Sequence, residues 1–137
     1  MCLTIQVRLV IKMKTIVAKA DLENEELFRK ASDILKNGGL VAFPTETVYG
    51  LGGDALNPKA SEKIYSAKGR PSDNPLIVHI ADTASVWELA AEVSTQAQML
   101  MEAFWPGPLT IIFKKKDIVP HETTGGLETV AIRMPSH

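Results

Sequence analysis

Apolar and polar residues alternate from Ile5 to Met13: Ile5, Val7, Leu9, Ile11 and Met13 interleave with Gln6, Arg8, Val10, Lys12 and Lys14. A period of two predicts a strand. A short apolar run, Thr15 to Ala18, follows. Met13-Lys14 reads equally well as the start of the domain, so residues 1–13 stand as an extension or an extra strand before a domain over 14–137. The period then changes. Leu27, Phe28, Ala31, Ile34 and Leu35 share one face of a helix predicted over 22–37. Asp21 or Asn24 can cap its start, acids fill its first turn, and Asn37-Gly38-Gly39 stops it.

Leu40-Val41-Ala42-Phe43 reads as a buried strand that Pro44 interrupts. Beyond it, an extended segment puts Thr45, Thr47 and Tyr49 on one side and Glu46 and Val48 on the other, ahead of glycines 50, 52 and 53. Asn57-Pro58 opens a second helix with Ala60, Ile64 and Ala67 inward, ending at Lys68-Gly69. A polar loop, 70–75, leads to a strand over 76–80. Asp82 or Thr83 begins a helix through Glu92, and Ser94 caps another through Phe104 whose core face is Leu100, Met101 and Phe104. Trp105-Pro106-Gly107-Pro108 breaks it. Strands follow over 109–113 and 129–133, joined by solvated Lys114-Lys115-Lys116 and a loop containing Thr123-Thr124-Gly125-Gly126. Helices and strands interleave, which predicts an α+β or layered α/β fold. The domain ends on a strand with no closing helix, so it reads as cut off at its C-terminus.

Composition narrows the class. The 137 residues are 45% hydrophobic and 23% charged, the balance of a globular domain rather than a disordered one. The net charge of -1 gives no argument for nucleic acid. One cysteine, Cys2, excludes an internal disulfide and a credible Cys–His nucleophile pair. The amphipathic start is no signal peptide, and no stretch approaches the ~18 apolar residues of a membrane span. A cytoplasmic protein is the expectation.

Candidate chemistry sits at element ends. No GxxxxGK[ST] loop is present, and His79, His121 and His137 lack metal-ligand spacing, so no metal site is expected. Lys68 and Arg70 flank Gly69 just past a helix, where both can reach one polyphosphate or carboxylate; solvated charges at a helix end are the plainer reading of such a pair. The hydroxyls of Thr45, Thr47 and Tyr49 can position a small polar substrate, or mark a strand edge. His79 between Val78 and Ile80 reads as a core histidine. Thr129 and Arg133 share a strand face, and Arg133 between Ile132 and Met134 is half-buried and needs a partner.

Taken together, Pro44 to Leu51, Lys68-Gly69-Arg70-Pro71 with Asn74-Pro75-Leu76, the run Leu76 to Ile80, Trp105 to Thr110, and Thr129 to Pro135 resemble, in order, the YrdC-like family of threonylcarbamoyl-AMP synthases. The Lys-x-Arg element looks like the first half of the family's paired signature; the second half, a Ser-x-Asn element, lies further along the family's chain than the stretch this sequence resembles. The resemblance implies a twisted mixed sheet flanked by helices around a basic cavity. It implies threonine, bicarbonate and ATP as substrates, with magnesium accompanying ATP and pyrophosphate leaving. It also implies a role in tRNA modification together with partner proteins. Carried over residue by residue, it assigns Thr47, His79 and Arg133 to threonine, with Thr45 and Tyr49 in the same cavity. Arg70, Asn74 and Thr129 fall to ATP beside Lys68, and Lys68 and Arg70 become the charge-neutralising pair. Two other readings stay open: a carbamoyl-handling domain of hydrogenase maturation, and a non-catalytic module binding double-stranded RNA or tRNA.

Overall fold

The computed structural model describes residues 15–19 and 23–136. The expected strand at Ile5–Met13, the cap Asp21 and His137 lie outside the described residues. Thr15 to Lys19 form no regular element, with Val17 92% exposed.

Helix α1 spans Glu25–Lys36 and is capped by Asn24, whose side chain accepts from Leu27 N. Its apolar face is only half covered; no residue of α1 is buried. Strands β1 (Val41–Phe43) and β2 (Gly50–Gly52) pair antiparallel, Phe43 opposite Gly50. The buried strand expected at 40–43 is thus half-buried, because a two-stranded hairpin leaves one face open. Helix α2 spans Pro58–Lys68. Asn57 caps it through Lys59 N, and Gly69 ends it in the left-handed conformation that a side chain disfavours. Ala60, Ser61, Ile64 and Tyr65 form its buried stripe, whereas Ala67 is exposed.

The main sheet has three strands in the order β3-β5-β4. β3 (Ile77–His79) runs parallel to β5 (Thr129–Arg133), and β4 (Thr110–Lys114) antiparallel to it. One face carries Val78, Ile132, Val130 and Phe113 into the core, where α3 (Ser85–Leu89) adds Val86 and Leu89, and α4 (Thr95–Phe104) adds Ala97 and Met101. α3 is shorter than the helix expected through Glu92. Its continuation is drawn onto the sheet edge, where Ala91 N donates to Lys114 O at 2.8 Å and Lys116 N to Leu89 O at 2.8 Å. Along α4 the inward stripe is Ala97, Met101 and then Trp105. Leu100 and Phe104, expected in the core, lie one position off that stripe and are 41% and 57% exposed. Two further corrections fall after β4. Lys115 is not solvated: it is 8% exposed and its Nζ donates to Val119 O at 3.1 Å. The loop expected before β5 contains a short helix, α5 (His121–Thr124), with Thr123 and Thr124 buried.

Candidate functional site

The face of the main sheet opposite the core carries the site. Pairing aligns His79 with Arg133 and Arg133 with Thr110, so these three residues form one row across the sheet. Four residues earlier on β5, and on the same face, stands Thr129. β3 and β5 are parallel, so their C-terminal ends fall together. An open cleft of about 540 Å³ lies there, lined by His79, Ile80, Pro106, Met134 and Pro135. Clefts beyond the carboxyl ends of parallel strands are the usual ligand positions of open sheets.

Arg133 is 8% exposed and has the partner its burial demands. Its Nε donates to Gly107 O at 3.3 Å, and its Nη2 donates to the Glu46 carboxylate, which comes from the turn between β1 and β2. The hydrogen bond from Arg133 is the main reason the Glu46 carboxyl is held below the usual carboxylate range. His79 is half-buried, its ring edge-on to Phe43 with centroids 5.9 Å apart. Burial foremost, and the Arg133 charge beside it, push the His79 pKa below 6.5, which favours the neutral imidazole.

The 44–49 segment is a turn, not the extended stretch expected. Thr45 Oγ1 accepts from Thr47 N and Val48 N, both at 3.2 Å, and donates to Val48 O at 2.7 Å. Such a local hydroxyl bond competes with an extended backbone. Thr45 Oγ1 and Thr47 Oγ1 lie 3.2 Å apart, and Tyr49, just before β2, is 77% exposed.

The Lys68–Asn74 loop is held from beneath. Arg70 N donates to the Tyr65 carbonyl at 3.0 Å, and the Tyr65 hydroxyl donates to Asn74 O at 3.0 Å. Burial raises the Tyr65 pKa. From the other side, Thr123 O accepts from Leu76 N at 3.0 Å. Thr123 Oγ1 donates to Ala55 O at 2.7 Å and meets Ser61 Oγ at 2.9 Å, fastening α5 to α2. Gly125 packs against the backbone of Asp73 and Pro75. Lys68 and Asn74 are exposed and Arg70 half-buried. Asn74 precedes β3 as Thr129 begins β5, so both stand at the N-terminal end of the parallel pair, with His79 and Arg133 at the other. Thr129 and Arg133 are about 13 Å apart at 3.3 Å per residue.

The structure thus brings the turn that carries Thr45 and Thr47 to His79 and Arg133 through Phe43 and Glu46, and holds Lys68, Arg70 and Asn74 together on one loop. Glu46 was missed in the sequence. The signal for it was there: an arginine between two apolar neighbours requires an acid. Among the described residues no three or more His, Cys, Asp or Glu side chains gather as a metal-binding group, and no helix is long and apolar enough to cross a membrane.

The chain is similar to known proteins in sequence and in fold. The family Sua5/YciO/YrdC, described as telomere recombination, matches residues 33–137. Threonylcarbamoyl-AMP synthase of Pyrococcus abyssi is 50% identical over 125 residues, covering 91% of this chain and 37% of its own length. The Bacillus subtilis protein of the same name is 54% identical over 115 residues, covering 83% and 33%. The crystal structure of P. abyssi Sua5 complexed with L-threonine superposes with a TM-score of 0.78 at 55% identity, covering 80% of this chain and 32% of that one. The chain therefore spans about a third of the length of these relatives. With the family model matching residues 33–137 and the fold superposing on a solved member, the chain belongs to the Sua5/YciO/YrdC family.

Proposed function

We propose that this chain provides the threonine-binding floor and the nucleotide-binding cationic loop of an enzyme that makes threonylcarbamoyl-AMP from L-threonine, bicarbonate and ATP, for modification of tRNA. The observation that carries this reading is Arg133. It is a buried guanidinium pinned on two sides, paired across the sheet with half-buried His79, which lines the open cleft together with Met134, the next residue after Arg133. Nη1 has no protein partner among the described residues, and an arginine edge of this kind suits a carboxylate. The relative bound to L-threonine shares the fold.

In this reading the threonine carboxylate meets Arg133, and neutral His79 lies beside the amino acid. Thr47 is the threonine that contacts substrate, since the Thr45 hydroxyl is already committed within its own turn. At the other end of the face, Lys68, Arg70, Asn74 and Thr129 take the nucleotide. The amino group of threonine condenses with bicarbonate to a carbamate, releasing water. A carbamate oxygen attacks the α-phosphate, the bond from that phosphorus to the bridging oxygen breaks, and pyrophosphate leaves. No protein nucleophile is needed. The chain contributes position, through the shared sheet face, and charge, through Lys68 and Arg70, which oppose the negative charge that builds on the phosphates. Magnesium enters as part of the nucleotide, its usual mode of binding with substrate phosphates.

Mass spectrometry of the product formed from ATP, bicarbonate and threonine by the full gene product tests the assignment. Threonylcarbamoyl-AMP with stoichiometric, threonine-dependent pyrophosphate is expected. ATP turnover indifferent to threonine, or a product built from carbamoyl phosphate, refutes it.

A further inference from the structure

We propose that Glu46 is a positioning residue that builds the threonine pocket by fixing Arg133 and Thr47 relative to one another. The inference rests on the reading above and assigns a role to a residue that the resemblance leaves without one.

Three observations carry it. First, Arg133 is oriented from two directions that differ in kind. Gly107 belongs to the buried turn after α4: it accepts from Arg133 Nε, and its own N–H donates to Met134 O at 2.8 Å. Glu46 belongs to a surface turn 87 residues away in sequence. A planar guanidinium held at one nitrogen still swings about that contact, and a second contact at Nη2 stops the swing and settles where Nη1 points. Second, the contact is sheltered. The Arg133 and Glu46 side chains are 10% and 20% exposed, so neither is a freely solvated charge. Third, Glu46 is the neighbour of Thr47. The same ion pair that orients the guanidinium anchors the turn and sets where the Thr47 hydroxyl stands over the sheet. The Thr45 hydroxyl bonds give the turn its shape, but all of them stay within residues 45–48. Phe43, just before the turn, meets His79 edge-on, and Glu46 adds a second hold from within the turn itself.

A competing geometry makes the opposite prediction. If Glu46 simply fills the place of a substrate carboxylate, threonine has to displace it, and removing its charge strengthens binding. The two free donors of Nη1 favour positioning, because substrate has a place on Arg133 while Glu46 keeps its own.

The test is steady-state kinetics of the full protein with Glu46→Gln, Glu46→Asp and Arg133→Ala, alongside melting temperatures. Glu46→Gln is expected to raise KM for threonine by about tenfold, the effect of losing one charge-assisted hydrogen bond, while KM for ATP stays within about twofold. Glu46→Asp is expected to recover part of the loss. Three results overturn the proposal: a KM for threonine that falls, which makes Glu46 a competitor; one that stays unchanged; or KM values for threonine and ATP that rise together with a lower melting temperature, which makes the ion pair merely structural. Arg133→Ala separates this from the parent reading. If it leaves KM for threonine intact, the pocket itself is misplaced. If it raises that KM while Glu46→Gln does not, only the role of Glu46 fails.

Discussion

Alanine at Gly125 should destabilise the fold by several times more than alanine at Gly69, although the two glycines share a backbone conformation. Gly69 has φ 58° and Gly125 φ 62°, and each ends a helix. A side chain in that left-handed region costs roughly 1–2 kcal/mol. Against this, alanine narrows the unfolded ensemble and returns about 0.4–1 kcal/mol. At Gly69 nothing else changes, since a Cβ there meets no atom within 4 Å, and a net loss of about 0.5–1 kcal/mol follows. At Gly125 the Cβ would stand 2.9 Å from Asp73 O, 3.0 Å from Asp73 C and 3.2 Å from Pro75 N. All three are backbone atoms, which cannot turn aside as a side-chain end can. Overpacking of this kind adds about 1–3 kcal/mol, for a total near 2–4 kcal/mol. Urea unfolding of both variants reads the difference directly, at an unchanged slope with denaturant. Equal midpoints for the two would mean that α5 does not press on the 73–75 backbone and that the clamp beneath the cationic loop is misread.

Two other outcomes follow from the site. Arg70→Ala should preserve the melting temperature and slow pyrophosphate release by about ten- to a hundredfold, with Arg70→Lys recovering only part because it lacks the planar fork; unchanged release from Arg70→Ala would remove the loop from the site. For His79, burial lowers the folded pKa below the value of 6.5 that an unperturbed histidine has. The unfolded chain then binds the proton more readily, so this contribution to stability is complete above pH 6.5 and is lost as the pH falls through the folded value. His79→Gln should flatten the decline between neutral and mildly acidic pH, and an identical decline in both proteins would place its cause elsewhere.

Much of this architecture was legible in local chemistry. Asn24, Asn57-Pro58, Ser94 and Gly69 end or begin helices where their capping preferences put them, and β5 occupies 129–133 as its β-branched run predicts. What escaped the sequence was set by contacts at a distance or by elements too short to show a period. α5 has four residues, fewer than the pattern of a helix needs to declare itself. Lys115 sits in a run of three lysines, and only the Val119 carbonyl brought beside it reveals a buried one. The 44–49 segment has good strand propensity, yet Thr45 offers its own backbone a closer set of bonds. Arg133 announced that it needed an acid, but only the folding of the hairpin over the sheet chose Glu46 from among the rest.

The strand order carries a consequence for the way the chain comes off the ribosome. β5 lies between β3 and β4, which do not pair with one another, and it is made after both. Until residues 129–133 emerge, β3 and β4 have no partner in that sheet and Val78 and Phe113 have no layer to pack in. The β1–β2 hairpin and α2 close over short sequence distances and can form during synthesis. The main sheet waits, with its apolar edges open to chaperones or to neighbouring nascent chains. Because Arg133 rides on β5, the central strand of the sheet and the buried guanidinium arrive together, and a nascent chain that has reached only β4 has neither.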